Sequence, residues 1–154
     1  MRIMKIFATI ILSLILSAST LYATESRTFY DDKPIAYSEL PAKAKEFIDK
    51  YFHKEKASHV SLDRDIISNE YNVVFASGIK IEFNGDGTWK EIDCRYSTVP
   101  HTLIPEKIST YVKERYPNSN ITELKRERGN WEVKLTGGME LTFNKDMRLV
   151  EIDD

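Results

Sequence analysis

Cysteine is nearly absent: Cys94 is the only one in 154 residues. No internal disulfide can form, so stability has to come from packing. Cys94 reads as a small buried hydrophobe, with a free thiol open to an intermolecular bridge as the alternative. A basic block is missing too, with 22 Lys and Arg against 24 Asp and Glu and no cluster of one sign. That argues against nucleic acid as a partner. The three histidines, His53, His59 and His101, lack the short spacing of a zinc motif, and one cysteine cannot complete the usual ligand set. No glycine-rich phosphate loop is present, and nothing near Cys94 supplies the base that a cysteine nucleophile needs. No catalytic residue, metal ligand or cofactor is therefore assigned, and a non-enzyme is expected.

What is present begins with an export signal. Met1 to Lys5 carries Arg2 and Lys5 and no acid, and Ile6 to Leu16 is apolar apart from Thr9 and Ser13. Leu21-Tyr22-Ala23 then offers a cleavage site. This is the order of a secretory signal peptide over residues 1–23, and the apolar run is short for a membrane span. No cysteine stands near the cleavage site, which excludes a lipoprotein anchor, and no membrane insertion is expected after cleavage. Removing 1–23 takes two basic residues and no acid, so 20 basic residues remain against 24 acidic ones, a net charge of −4. Charged residues at 30% and hydrophobic ones at 42% fit a soluble globular domain. Residues 24–37 are mostly polar and read as an extended leader.

The rest of the chain, 38–154, repeats itself at a period of about sixty residues. Leu40-Pro41-Ala42-Lys43 aligns with Ile104-Pro105-Glu106-Lys107, Phe47 with Tyr111, and Phe52 with Tyr116. Further on, Tyr71-Asn72-Val73-Val74-Phe75 aligns with Trp131-Glu132-Val133-Lys134-Leu135, and Glu91-Ile92-Asp93 with Glu151-Ile152-Asp153. Repeat one covers 38–95, a linker 96–101, and repeat two 102–154. In each, a helical face comes first: Leu40, Ala44, Phe47, Ile48 and Tyr51, then Ile104, Ile108, Tyr111 and Val112. Ser38 and Thr102 are the expected caps, with Pro41 and Pro105 in the first turn. Strand patterns of period two follow, at Tyr71-Val73-Phe75 and Ile79-Ile81-Phe83, and again at Trp131-Val133-Leu135 and Met139-Leu141-Phe143. Earlier strands are expected at Ala57–Arg64 and Ile121–Arg128, and last strands at Trp89–Arg95 and Leu149–Asp153. The expected fold is α+β: a tandem repeat of one helix plus about four antiparallel strands, sharing one curved antiparallel sheet with both helices on one face. The other sheet face is left open.

Asn84-Gly85-Asp86-Gly87-Thr88 has a faint likeness to a calcium loop. Its counterpart, Asn144-Lys145-Asp146-Met147-Arg148, sets Lys and Arg among the supposed ligands. Asn and Asp are ordinary turn residues, and both stretches are read as hairpin turns.

These features resemble the PepSY-like periplasmic proteins, whose fold is like that of the beta-lactamase inhibitor protein. The resemblance rests on the Leu40-Pro41 and Ile104-Pro105 openings, Gly78-Ile79-Lys80-Ile81-Glu82-Phe83, Gly87-Thr88-Trp89-Lys90-Glu91-Ile92-Asp93-Cys94, and the linker Val99-Pro100-His101-Thr102. It implies a two-repeat fold, a periplasmic location and no established enzymatic activity. In the inhibitor of that fold the concave sheet face grips another protein, though no inhibitory residue carries over here.

The expected function is a periplasmic binding module for an unknown protein or peptide, engaged through the open sheet face. The alternative is a small-ligand or divalent-metal binder. With Ile92 and Cys94 inside, the last strand of the first repeat turns Trp89, Glu91 and Asp93 outward, and Trp89 becomes a candidate anchor. The other reading of Trp89 is that it covers a hairpin or the seam between the halves. The remaining open-face candidates are Asn72, Val74, Lys80, Glu82, Glu132, Lys134, Glu140 and Thr142.

Overall fold

The structure, a computed structural model, describes residues 32–64 and 68–154. The expected signal peptide and the leader up to residue 31 lie outside the described residues. Among the described residues there are two helices, α1 (Ala42–Tyr51) and α2 (Glu106–Arg115). Each begins one residue later than a proline in the first turn would allow, with Pro41 and Pro105 at the N-cap. Ser38 and Thr102 do not cap them; they lie in short 3-10 turns, Tyr37–Glu39 and His101–Leu103. The reason is steric. A residue before proline is pushed out of the helical region, and Leu40 (ψ 145°) and Ile104 (ψ 125°) are extended. Glu39 accepts from the Ala36 N–H at 2.7 Å and closes the first turn.

Nine strands follow in chain order: β1 (Lys33–Pro34), β2 (Ala57–Arg64), β3 (Asn69–Phe75), β4 (Lys80–Asn84), β5 (Trp89–Asp93), β6 (Ile121–Glu127), β7 (Asn130–Leu135), β8 (Glu140–Phe143) and β9 (Leu149–Asp153). They form one open sheet whose spatial order is the sequence order, and every neighbour is antiparallel. The α2 connection falls between β5 and β6, and these strands pair directly through Glu91↔Lys125, Ile92↔Leu124 and Asp93↔Glu123. The fold is α+β, with two helices and a nine-stranded antiparallel sheet among the described residues.

Period-two alternation sorts the side chains. One cross-strand row reads Val60, Val73, Ile81, Ile92, Leu124, Val133, Leu141, Ile152. All but Ile152 are buried, and they form a core with Ala44 and Ile48 of α1 and Ile108 and Val112 of α2. Phe47 meets Phe83 edge-on at 5.8 Å, and Tyr111 meets Phe143 edge-on at 5.5 Å. Phe83 and Phe143 stand two residues along the strand from Ile81 and Leu141, so both helices cover the same sheet face. Cys94 belongs to this core; burial, chiefly, pushes its thiol up to about 11. It is a packed apolar group rather than an accessible nucleophile.

The hairpin turns spend their own polar groups. Asp86 accepts from the Thr88 hydroxyl (2.6 Å) and N–H (3.0 Å), and Asn84 donates to Thr88. In the later turn Asn144 accepts from the N–H groups of Asp146 and Arg148. These are turn-forming bonds.

Candidate functional site: the uncovered sheet face

Two further cross-strand rows face away from the helices. One runs Asn72, Glu82, Glu91, Lys125, Glu132, Thr142, Glu151. The other runs Val74, Lys80, Asp93, Glu123, Lys134, Glu140, Asp153. Together they carry eight carboxylates (Glu82, Glu91, Asp93, Glu123, Glu132, Glu140, Glu151 and Asp153) against three lysines (Lys80, Lys125 and Lys134). The lysines are engaged within the face: Lys80 with Glu82 at 2.6 Å, Lys134 with Glu140 at 2.6 Å, and Lys125 with Glu132 at 3.3 Å. Burial pulls Lys80 down, but its bond to Glu82 and the fields of Glu82, Glu91 and Asp32 outweigh that and leave it raised.

The middle of the face is less balanced. Glu82 lies directly opposite Glu91, and Asp93 directly opposite Glu123. Like charges directly opposed on a sheet destabilise it. Glu91 and Glu123 make no ion pair within 4.0 Å among the described residues. Burial, then Glu82 and Glu123, push Glu91 up to about 7, with Lys80 and Lys125 pulling the other way. Glu123 is raised as well, first by burial, with Asp93 and Glu140 adding to the shift and Lys134 and Lys125 opposing it. Toward the β9 side the face holds a shallow polar hollow of about 240 Å³, bounded by Glu123, Glu132, Lys134, Glu140, Glu151 and Asp153. Among the described residues, no group of three His, Cys, Asp or Glu side chains is placed to hold a metal ion.

Ten of the eleven residues expected on this face lie in these two rows. The exception is Trp89, and the expectation for it is corrected. A bulge between Glu82 and Phe83 pairs Glu82 with Glu91 but Phe83 with Trp89, leaving Lys90 as the extra residue. A bulge puts two successive side chains on one face. Lys90 therefore joins Glu91 on the open face, where it reaches Glu70 at 2.8 Å, and Trp89 returns to the helix face. There it lies 6.1 Å from Phe47 and 6.0 Å from Trp131. Arg126 stacks on it at 3.8 Å and donates to its backbone carbonyl at 2.6 Å. Trp89 thus covers the junction of the two halves.

Glu123 and Lys125 were not legible as face residues, whereas Glu151 and Asp153 follow from their alignment with Glu91 and Asp93. A second bulge, between Ile121 and Glu123, breaks the alternation in β6. Ile121 and Leu124 are both buried although three apart, a spacing that simple alternation assigns to opposite faces.

An antiparallel sheet with helices on one side and a charged, uncovered other side defines a class of small α+β proteins. The chain belongs to the family described as "Putative beta-lactamase-inhibitor-like, PepSY-like", whose model matches residues 69–151. A solved structure named a "putative calcium-regulated periplasmic protein" from Bacteroides thetaiotaomicron is 35% identical, with a TM-score of 0.78 over 80% of this chain and 98% of that one. A "putative periplasmic protein" from Bacteroides vulgatus is also 35% identical, with a TM-score of 0.77 and the same coverage of both chains. A second protein from that species, named as of unknown function, is 34% identical with a TM-score of 0.74 over 77% of this chain and 95% of that one. None of the curated proteins matches the chain. No catalytic family is indicated by these likenesses.

Proposed function

We propose that the protein is a periplasmic, non-catalytic binding module whose uncovered sheet face engages a basic segment of another protein or peptide. The observation that carries this reading is the pair of like-charged contacts on β5, Glu82 opposite Glu91 and Asp93 opposite Glu123. They oppose folding, and a cationic side chain inserted between them relieves the repulsion. Residues that break a local rule without a structural gain are the ones to read as functional. The periplasmic location is supported by the names of the solved relatives and by the export signal at residues 1–23, with cleavage near Ala23. The two halves are read as a tandem repeat, supported by the sequence alignment and by the recurrence of a 3-10 turn, a helix and four strands. The likeness to beta-lactamase inhibitors is one of fold, and inhibition is an extension of it.

The test is fluorescence anisotropy with a labelled lysine-rich peptide and an acidic peptide as control. The Glu91→Lys/Glu123→Lys double variant should lose binding to the basic peptide, and added salt should weaken it in the native protein. Equal binding by both proteins counts against this surface.

One observation favours a second reading, a divalent-cation binder: the eight carboxylates of these two rows, beside a relative named as calcium-regulated. A flat calorimetric titration with calcium removes it.

A further inference from the structure

A separate polar cluster lies where the segment 98–104, α2 and the start of β6 meet. Here Ser109 of α2 is buried, and its Oγ lies 3.0 Å from Nε2 of His101. One helical turn on, Lys113 Nζ lies 3.3 Å from the same nitrogen. An ammonium has only donors, so Nε2 must accept from it, which places the imidazole proton on Nδ1. The Ser109 hydroxyl then competes for the same lone pair. The cluster has more donors than acceptors.

These groups line a pocket of about 240 Å³ whose other walls include the apolar Val99, Ile104, Val112 and Ile121 and the polar Thr98, Ser119 and Asn120. That is smaller than the roughly 300–1,000 Å³ of sites for drug-sized ligands. None of the residues lining it is Asp or Glu, although acids outnumber bases in the chain.

The Ser–His distance alone meets the first requirement for an activated nucleophile. Two features oppose that use. Lys113 occupies the nitrogen that would take the serine proton, and no carboxylate lines the pocket to orient the ring. A donor-rich cluster in a pocket with several apolar walls and no acid instead suits binding of an anion.

The first half supplies a comparison. In the alignment of the halves Ser109 corresponds to Lys45, His101 to Tyr37 and Lys113 to Asp49. Lys45 reaches back to the Ser38 carbonyl at 3.0 Å, and an acid stands where Lys113 does. The small side chain at Ser109 and the base at Lys113 are thus particular to the second half.

We infer that this pocket binds a carboxylate joined to a short apolar body, with Lys113, Ser109 and His101 holding the carboxylate and Val99, Ile104, Val112 and Ile121 the body. Such a group is carried by a free short-chain carboxylic acid or by the C-terminal residue of a peptide. The missing acceptor is what the carboxylate supplies, through charge-assisted hydrogen bonds.

The test is a chemical-shift titration of the full chain with hexanoate, with acetyl-glycyl-leucine, and with uncharged hexanamide. Saturable shifts confined to residues around 98–121 are expected with one or both acids and not with the amide. Saturation by hexanoate assigns the free acid as ligand, and saturation by the peptide alone assigns a chain end. Lys113→Met should weaken binding at least ten-fold, and Lys45→Met, at the corresponding position of Ser109 in the first half, should leave it unchanged. The spectra report directly whether each variant is folded, and the acid-against-amide comparison needs no variant. Absence of saturation with either acid, equal shifts with hexanamide, or unchanged affinity in Lys113→Met overturns the inference.

Discussion

Glu82 and Glu91 face each other directly across β4 and β5 on the uncovered side of the sheet. Burial of Glu91, with this pairing added, sets a pH dependence. Glu91 is pushed from 4.5 to about 7, first by burial and then by Glu82 and Glu123. Its unfolded value is lower, so between about pH 4.5 and 7 the native state holds a proton that the unfolded state has lost. Stability therefore falls as pH rises through that window and levels off above it. The full shift corresponds to about 3 kcal/mol, and partial exposure reduces it to about 1–2 kcal/mol. Glu91→Gln should be more stable than the native protein at pH 8 by that amount and nearly equal to it at pH 4.5. Urea unfolding at the two pH values checks this; a variant destabilised equally at both would show that Glu91 contributes through packing instead.

Arg126 ties β5 to β7 across the junction of the halves. Its guanidinium lies 3.8 Å from the Trp89 ring centre and 5.7 Å from that of Trp131, and it donates to the Trp89 carbonyl. A desolvated cation–π contact and a charged hydrogen bond are each worth about 1–3 kcal/mol. Arg126→Ala should lower stability by about 2 kcal/mol and red-shift the tryptophan emission as the two rings gain water. An unchanged emission maximum with unchanged melting temperature would mean that the stack is not maintained in solution.

How far the sequence reached can be judged from these same strands. Alternation placed Val73, Ile81, Phe83 and Ile92 inside and Asn72, Glu82 and Glu91 outside, because one-sided burial fixes a strand's register. It failed at Trp89 and left Glu123 unplaced, where bulges insert a residue and reset the period. A bulge is a backbone event with no side-chain signature strong enough to read beforehand. The helix starts were displaced for a different reason: Pro41 and Pro105 hold Leu40 and Ile104 extended, which outweighed the capping preference of Ser38 and Thr102. The cluster of His101, Ser109 and Lys113 could not be read because its members come from a turn and a helix that tertiary packing brings together.

Gly87 tests how closely α1 is seated on the hairpin below it. Its φ is +82°, and a Cβ there would stand 2.7 Å from Cβ of Pro41 and 3.1 Å from the Ala44 nitrogen. Gly137 has a similar φ of +102° but open space around its Cβ position. Gly137→Ala should cost only the backbone term, about 1 kcal/mol. Gly87→Ala should cost at least about 1–2 kcal/mol more, since helix backbone must move. Thermal melts of the two variants compare them directly, and equal losses would show that the α1 contact is loose.

Ile92 and Ile152 occupy corresponding positions in the two halves, yet Ile92 is fully buried and Ile152 is 48% exposed. Ile92 has a strand on each side, β4 and β6, whereas among the described residues Ile152 pairs only with Leu141 of β8. The energetic difference follows from that placement. Removing three carbons from a closed core leaves a cavity, so Ile92→Ala should cost about 2–5 kcal/mol. At the sheet edge the same truncation loses only part of the transfer energy and leaves no enclosed void, so Ile152→Ala should cost less than about 1 kcal/mol. Denaturant midpoints of both variants, taken with unchanged slopes, decide the matter. A cost at Ile152 close to that at Ile92 would mean that the edge is covered in solution, by another segment or another molecule lying along β9.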